Sequence, residues 1–164
     1  MRKPGMDDAP AVFHGWAQDQ EVTRYLIWQP HQHMAQTQQF IQNCLSAWEY
    51  ETRFPYMIAI RESCEVLGML EARIECPRLE IGYVTARAHW GKGYMTEATQ
   101  ALIAWAFQQP SIYRVYATTD VENTASQRVL EKVGMQCEGI LRKYIIHPNL
   151  SDIPRDSYIY AITK

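Results

Sequence analysis

The feature that most constrains the fold of this chain is a strand, a glycine-rich turn and a helix in direct succession between residues 80 and 108. Residues 80–85 have the composition of a strand, residues 90–96 read Trp-Gly-Lys-Gly-Tyr-Met-Thr, and residues 93–108 repeat apolar side chains at helical spacing. A further strand is predicted at 112–119. Two strands joined through a helix lie parallel in one sheet with a right-handed crossover, so the fold is expected to contain a parallel pair.

The remaining segments complete an α+β pattern with a mixed sheet and helices on its faces. Asp7-Asp8 resembles a helix start, and residues 34–51 read as an amphipathic helix. Short strands at 56–60, 66–74 and 79–85, separated by turn-rich breaks, predict an antiparallel meander. Asn123 is a preferred N-cap residue and Gly134 suits a left-handed C-cap, so a short helix is predicted between them. Strands are predicted at 139–146 and 157–162. The predicted buried face of the 93–108 helix carries Met95, Ala98, Leu102, Trp105 and Ala106.

Length and composition exclude several classes of protein. The 164 residues suit a single domain, 1–164, and 16 Lys and Arg against 18 Asp and Glu give a net charge of −2. A nucleic-acid binder has the opposite charge balance. No apolar run approaches the ~20 residues of a membrane span. The 4 cysteines form no Cys-x-x-Cys pair, which favours free thiols in a reducing compartment. We therefore expect a cytoplasmic protein that binds neither nucleic acid nor membrane.

The glycine-rich turn has the chemistry of an anion site. Glycine lets a ligand approach the main chain, and the first N–H groups of a helix, with the positive end of its dipole, suit a phosphate. A glycine turn that merely links strand to helix is the alternative interpretation. Two nucleotide motifs lose support, because the upstream glycine of a P-loop is missing and Thr96 occupies the third glycine position of the dinucleotide fingerprint.

Several short motifs follow one another in a recognisable order. They are Gly82-Tyr83, the Trp-Gly-Lys-Gly-Tyr of residues 90–94, Thr96-Glu97-Ala98, the Asn-x-x-Ser-x-x-x-Leu-x-x-x-Gly pattern of Asn123, Ser126, Leu130 and Gly134, and Asp156 with Tyr160. Over residues 5–162 this combination resembles the GNAT superfamily of acyl-CoA-dependent N-acetyltransferases, in particular the branch of ribosomal-protein N-terminal (alanine or serine) acetyltransferases. The resemblance implies a central mixed, mostly antiparallel sheet with splayed parallel strands at the acyl-CoA site. The first strand usual in this family would have to lie within residues 1–6, and the alternative is that this edge strand is absent.

The resemblance also implies acetyl-CoA (coenzyme A) as the acyl donor. The residues expected to bind it are Gly91, Lys92, Gly93, Tyr94, Met95 and Thr96 at the pyrophosphate, Tyr83, Val84 and Thr85 beside pantetheine as an added strand would lie, and Asn123 with Ser126. A freed strand N–H would polarise the thioester carbonyl. Trp90 stands where the superfamily pattern has a polar residue, and Met95 where it has a small one. The resemblance therefore implies contacts of the main chain with the coenzyme more than contacts of these side chains.

Attack of an amine on a thioester needs a base for the amine proton and an acid for the departing thiolate. Ser126 is the predicted acid, because serine acids are typical of the matching branch; capping of its own helix is the alternative. Glu80 is the predicted base, near a glutamate of several superfamily members, and a solvated carboxylate is the alternative. His147 has a suitable pKa for a base, although a loop histidine is often a bystander.

The acceptor side is less defined by the sequence. The resemblance implies that Tyr25 and Trp28 cover the acceptor groove. Asp156 is a candidate contact of the acceptor amine. Arg142, Tyr144 and Arg155 either line the mouth of the groove or form an ordinary strand face with a polar hairpin. No metal is expected, because His31 and His33 lack a third ligand.

The leading hypothesis is an N-acetyltransferase that transfers the acetyl group directly to a primary amine, either a protein N-terminus or a small amine. A non-catalytic acyl-CoA-binding or interaction module of the same fold is one alternative, and an unrelated α+β protein with a structural glycine turn is another. A homodimer is expected only by analogy with the family.

Overall fold

The computed structural model describes residues 1–51 and 53–164. Its helices are α1 (Ala9–Val12), α2 (Gln20–Thr23), α3 (Met34–Glu49), α4 (Tyr94–Gln108) and α5 (Thr124–Lys132). Its strands are β1 (Phe54–Ala59), β2 (Val66–Glu75), β3 (Arg78–Thr85), β4 (Arg114–Asp120), β5 (Gln136–Ile145) and β6 (Arg155–Thr163). A π-helical stretch, Phe13–Ala17, extends α1.

The strands form one 6-stranded sheet in the order β1-β2-β3-β4-β6-β5. The first three form the predicted antiparallel meander, and β3 pairs with β4 in parallel through the α4 crossover. The β4–β6 and β6–β5 pairs are antiparallel. The predicted mixed, mostly antiparallel sheet is therefore confirmed. The carboxyl ends of β3 and β4 lie at the same edge of the sheet because the two strands run in the same direction.

Helices cover both faces of the sheet. On one face α4 and α5 contribute Leu102 and Leu130 to a core that also contains Leu79 and Ile81 of β3. On the other face α1 and α3 pack in a second core that includes Val84 of β3. Successive strand side chains point to opposite faces. Alternation along β3 therefore determines which helices each of its side chains faces.

The helix boundaries agree with the sequence signals, with one error on a helix face. Gly93 has the left-handed conformation at the N-cap of α4, and Asn123 caps α5 by accepting the N–H of Ser126 at 3.2 Å. Trp105 was expected in the core, but it is 41% exposed. At 100° per residue Trp105 falls at the edge of the stripe formed by Leu102 and Ala106. No helix in the described part of the chain has the length and apolarity that crossing a bilayer requires.

The expected N-terminal strand is reduced to one antiparallel bridge between Arg2 and Met57. Its two main-chain hydrogen bonds measure 3.0 and 2.8 Å. The Arg2 guanidinium also binds the carboxylate of Asp8, which in turn accepts the N–H of Gly5. This contact fixes the first residues beside β1.

Candidate functional site

The turn between β3 and α4 presents a continuous series of free main-chain donors. Gly91 and Gly93 have positive φ values of 73° and 84°, which glycine adopts without strain. Among the described residues no acceptor pairs with the amides of residues 91–96, and the Glu97 amide is bonded to Gly93 O at 3.0 Å. A Cβ added to either glycine would meet nothing within 4 Å. This cradle of amides, residues 91–96, therefore lies open at the positive end of a 15-residue helix.

The side chains of the cradle have different surroundings. Met95 is 6% exposed and belongs to the core, so only its amide faces a ligand. Lys92 is exposed, and Tyr94 and Thr96 are half-buried. The Trp90 indole donates from Nε1 to Thr85 O at 2.8 Å. That bond fixes Trp90 at the entrance of the turn and occupies one acceptor at the end of β3.

The parallel strands separate beside this cradle. The ladder between β3 and β4 covers only residues 78–80 and 114–116, and its last pair is Glu80 with Tyr116. β3 continues to Thr85 and β4 to Asp120 without further pairing to each other. The main chain around Tyr83 and Val84 therefore has groups on its β4 side that an extended ligand can pair with.

Ser126 faces this gap from α5. Its Oγ lies 2.8 Å from the Tyr83 hydroxyl oxygen, and the main-chain Ser126 O lies 3.2 Å from the same oxygen, so the single Tyr83 proton has two alternative acceptors. Burial raises the pKa of Tyr83, against a smaller effect of Ser126. Tyr83 thus remains protonated at neutral pH and can donate to Ser126 Oγ, which leaves the serine proton free to point elsewhere.

Asn123, not Ser126, caps α5. The Asn123 Oδ1 accepts the N–H of Ser126, and the Asn123 Nδ2 has no partner in the described part of the chain. The capping role and a contact of the side chain with a ligand therefore use different atoms.

Glu80 lies on the opposite face of the sheet from Ser126. Its neighbours Leu79 and Ile81 belong to the α4–α5 core, so Glu80 points to the α1–α3 face. Its Oε2 is 3.3 Å from an Arg73 guanidinium nitrogen, and its side chain is 23% exposed. Arg73 also binds the buried Glu71 at 2.6 Å. Glu80 is therefore neither freely solvated nor isolated, and it marks the point where the strands begin to separate.

A buried charged cluster at the end of β4 was missed by the sequence analysis. The Asp120 carboxylate, with a side chain 0% exposed, accepts from Arg155 Nε at 2.6 Å and lies 3.7 Å from His147 Nε2. Burial raises the pKa of Asp120, but hydrogen bonds from Arg155 and the Glu122 N–H outweigh it and lower the value. The only sequence signal is a carboxylate at the end of a buried strand.

His147 lies beneath the loop that was expected to cover the acceptor. Burial lowers its pKa, opposed by the charge of Asp120. The Tyr25 ring contacts the imidazole edge-on at 6.3 Å, and the Tyr25 hydroxyl donates to Glu122 O at 3.4 Å. Asn149 donates to Trp28 O at 2.9 Å. The loop containing Tyr25 and Trp28 is therefore connected to the segment between β5 and β6.

Two other predicted acceptor residues bind each other. Arg142 donates to Asp156 Oδ2 at 2.6 Å, and the Lys143 N–H donates to Asp156 Oδ1 at 2.9 Å. Both carboxylate oxygens therefore have partners within the chain. His31 accepts or donates a 2.8 Å bond with Thr37 at the start of α3, away from the cradle.

The chain matches known proteins over most of its length. The family model described as an acetyltransferase (GNAT) domain matches residues 1–136. The relative named Uncharacterized N-acetyltransferase p20, from Bacillus licheniformis, is 37% identical over 149 residues, which cover 88% of this chain and 82% of the relative.

Solved structures have the same fold. A GNAT-family acetyltransferase from Bacillus anthracis has a TM-score of 0.84 and 31% identity, covering 99% of this chain and 92% of that one. RimL, a ribosomal L7/L12 alpha-N-protein acetyltransferase in complex with coenzyme A, has a TM-score of 0.84, 21% identity and coverage of 99% and 92%. The second similarity concerns the fold alone.

Proposed function

The chain belongs to the GNAT family of acetyltransferases, and on this premise we propose that it transfers an acetyl group from acetyl-CoA directly to a primary amine. The amine belongs to a protein N-terminus or a small molecule. Acetyl-CoA supplies the activated acetyl thioester. The other components of the reaction are side chains and main-chain groups at the gap between β3 and β4.

The open cradle binds the pyrophosphate of the donor. Its amides at residues 91–96 have no competing acceptor in the described chain, and the α4 dipole favours negative charge there. Tyr83 and Val84 offer main-chain groups to the pantetheine arm, and Asn123 offers its Nδ2. A donor bound in this way passes between the separated strands and brings its thioester near the last β3–β4 pair.

Ser126 acts as the acid on the α5 side of the gap. The Tyr83 hydroxyl holds Ser126 Oγ at 2.8 Å, and the serine proton is delivered to the departing sulfur. The Tyr83 proton can follow to Ser126 Oγ through the same hydrogen bond. An acid placed here prevents the thiolate from attacking the new amide.

Glu80 acts as the base on the other face. It receives the amine proton directly or through water, while Arg73 holds its carboxylate in place. The base and the acid therefore approach the reacting carbonyl from opposite faces of the sheet. This arrangement supports direct transfer, since the amine and the sulfur must occupy different sides of the carbonyl carbon.

The free amides of the cradle are the observation that carries this proposal, and a melting experiment tests it. Acetyl-CoA at 100 times its dissociation constant stabilises the folded chain by about 2.7 kcal/mol. For a protein of this size we expect the Tm to rise by about 5–11 °C. Thiol release from acetyl-CoA is then measured with a panel of N-terminal peptides and small amines.

An unchanged Tm would contradict the assignment of the cradle. A raised Tm without thiol release in the presence of any amine would contradict the proposed transfer and favour an acyl-CoA-binding module.

A further inference from the structure

A polar cleft of about 360 Å³ lies at the carboxyl end of β4. Its walls include Val121 and Glu122, which directly precede Asn123, and Lys143, Arg155 and Asp156 from the β5–β6 hairpin. Because β3 and β4 are parallel, this cleft and the cradle lie at the same edge of the sheet. The cleft therefore lies at the edge of the sheet towards which the gap between β3 and β4 opens.

Most of the charge in the cleft is already paired. Arg155 binds the buried Asp120 at 2.6 Å and Glu122 Oε2 at 2.9 Å. Arg142 binds Asp156 at 2.6 Å. The lining itself has two cations, Lys143 and Arg155, and two carboxylates, Glu122 and Asp156, so net charge does not select a ligand. The ligand is selected by the hydrogen-bond donors and acceptors of the cleft that have no partner within the protein.

Two charged groups of the lining remain available to a ligand. In the described part of the chain Lys143 Nζ makes no ion pair within 4 Å, although its charge helps to lower the pKa of Asp156. Glu122 pairs through Oε2, while its Oε1 has no partner there. A cleft with one free ammonium and one free carboxylate oxygen is complementary to a ligand that carries both charges.

The main chain at Lys143 supports a specific placement of its side chain. Lys143 has a φ of 50°, which non-glycine residues rarely adopt. The β5–β6 register jumps between Leu141 and Ile145, and Asp156 holds the bulge by accepting the Lys143 N–H. Strained residues of this kind concentrate at functional sites. The bulge places Lys143 in the wall of the cleft.

We propose that the acceptor is a zwitterionic amine, whose ammonium group Glu122 attracts into the cleft and whose anionic group binds Lys143. This inference rests on the proposed acetyl transfer and names its substrate class. The anionic group is a carboxylate of a free amino acid or of an acidic side chain next to a peptide N-terminus. Polyamines and other acceptors with only positive charge are disfavoured by Lys143.

The test compares matched acceptors with and without the carboxylate. One pair is a free amino acid and its amide, and the other is an amidated peptide with Asp or Asn at its second position. For Lys143→Gln we expect kcat/KM to fall about tenfold for the carboxylate-bearing acceptor of at least one pair. The loss should appear as a higher KM, and a tenfold change corresponds to ~1.4 kcal/mol of binding free energy. The neutral member should change less than about twofold.

Two further variants control the experiment. Lys143→Asn removes the charge and retains a residue that tolerates the left-handed conformation, so agreement with Lys143→Gln excludes a folding effect. Lys132→Gln removes an exposed lysine at the end of α5 and should leave both pairs unchanged.

The pair that responds identifies the source of the carboxylate, an amino acid or a peptide. Equal losses for both members of each pair, or no loss, would overturn the zwitterion proposal while acetyl transfer itself stands. Absence of transfer by the unmodified protein to every amine would instead contradict the proposed function.

Discussion

Ser126 and Tyr83 show how one side chain can set the chemistry of another. A serine hydroxyl is a weak acid, and its proton is useful only if it points at the leaving group. Tyr83 is largely buried, which raises its pKa and keeps it protonated. When its O–H donates to Ser126 Oγ, the serine proton is directed away from Tyr83. Tyr83 thus orients the Ser126 hydroxyl and also holds a second proton that can replace the one Ser126 gives up.

Ser126→Ala should lower kcat by about 100-fold or more, the contribution typical of a positioned acid. The KM for acetyl-CoA should change little, because Asn123 caps α5 through its own side chain. Steady-state kinetics with an amine that the unmodified protein acetylates measures both constants. Ser111→Ala, at an exposed position, is the control. An unchanged kcat for Ser126→Ala would remove its assigned role.

At the scale of elements, the start of α4 is the decisive feature. Gly93 combines a left-handed N-cap with open space above its Cα, and the core side chains of α4 hold the helix against β3. The helix is thereby fixed with its free amides exposed. The same backbone conformation occurs at Gly134, which has a φ of 89° after α5.

This coincidence provides a matched pair, Gly93→Gln and Gly134→Gln. Each should destabilise the protein by about 1–2 kcal/mol, because both force a side chain into the left-handed region. Only Gly93→Gln should also abolish the rise in Tm on addition of acetyl-CoA, since its side chain enters the cradle. Melting curves with and without acetyl-CoA measure both effects. A full Tm shift in Gly93→Gln would mean that the cradle is misplaced.

At the scale of the whole molecule, buried ionisable groups connect stability to pH. Burial lowers the pKa of His147, so its unfolded form binds a proton at a higher pH than the folded form. Stability from this group is complete above its unfolded pKa of about 6.5 and falls as the pH drops toward the folded value. Asp120, with a lowered pKa, adds a further loss below about pH 4.

We expect the Tm to fall between pH 7.5 and pH 5.5, and to fall less in His147→Gln. The comparison uses the slope of Tm against pH at constant ionic strength, so a uniform loss of stability in the variant does not affect it. Burial also lowers the pKa of His31. His31 therefore accounts for the slope of Tm against pH that remains in the variant. Identical slopes in both proteins would show that His147 does not titrate as described.

Much of the fold could be predicted because its signals are local. The caps at Asn123 and Gly134 and the bounds of the meander follow from residue types and spacing. Trp105 was assigned wrongly because a large apolar side chain at the edge of a helical stripe fits either environment. The roles of Glu80 and Ser126 remain predictions, but the structure adds the contacts that make them specific.

The kind and order of the elements, and the glycine turn before a helix, follow from the sequence because periodicity and capping act within a few residues. The point at which β3 and β4 separate follows from three-dimensional packing, since it depends on the register of strands joined by a whole helix. The same packing brings together Tyr83 with Ser126 and Asp120 with Arg155, which are 43 and 35 residues apart. Such contacts depend on packing across the sheet, and no short stretch of sequence encodes them.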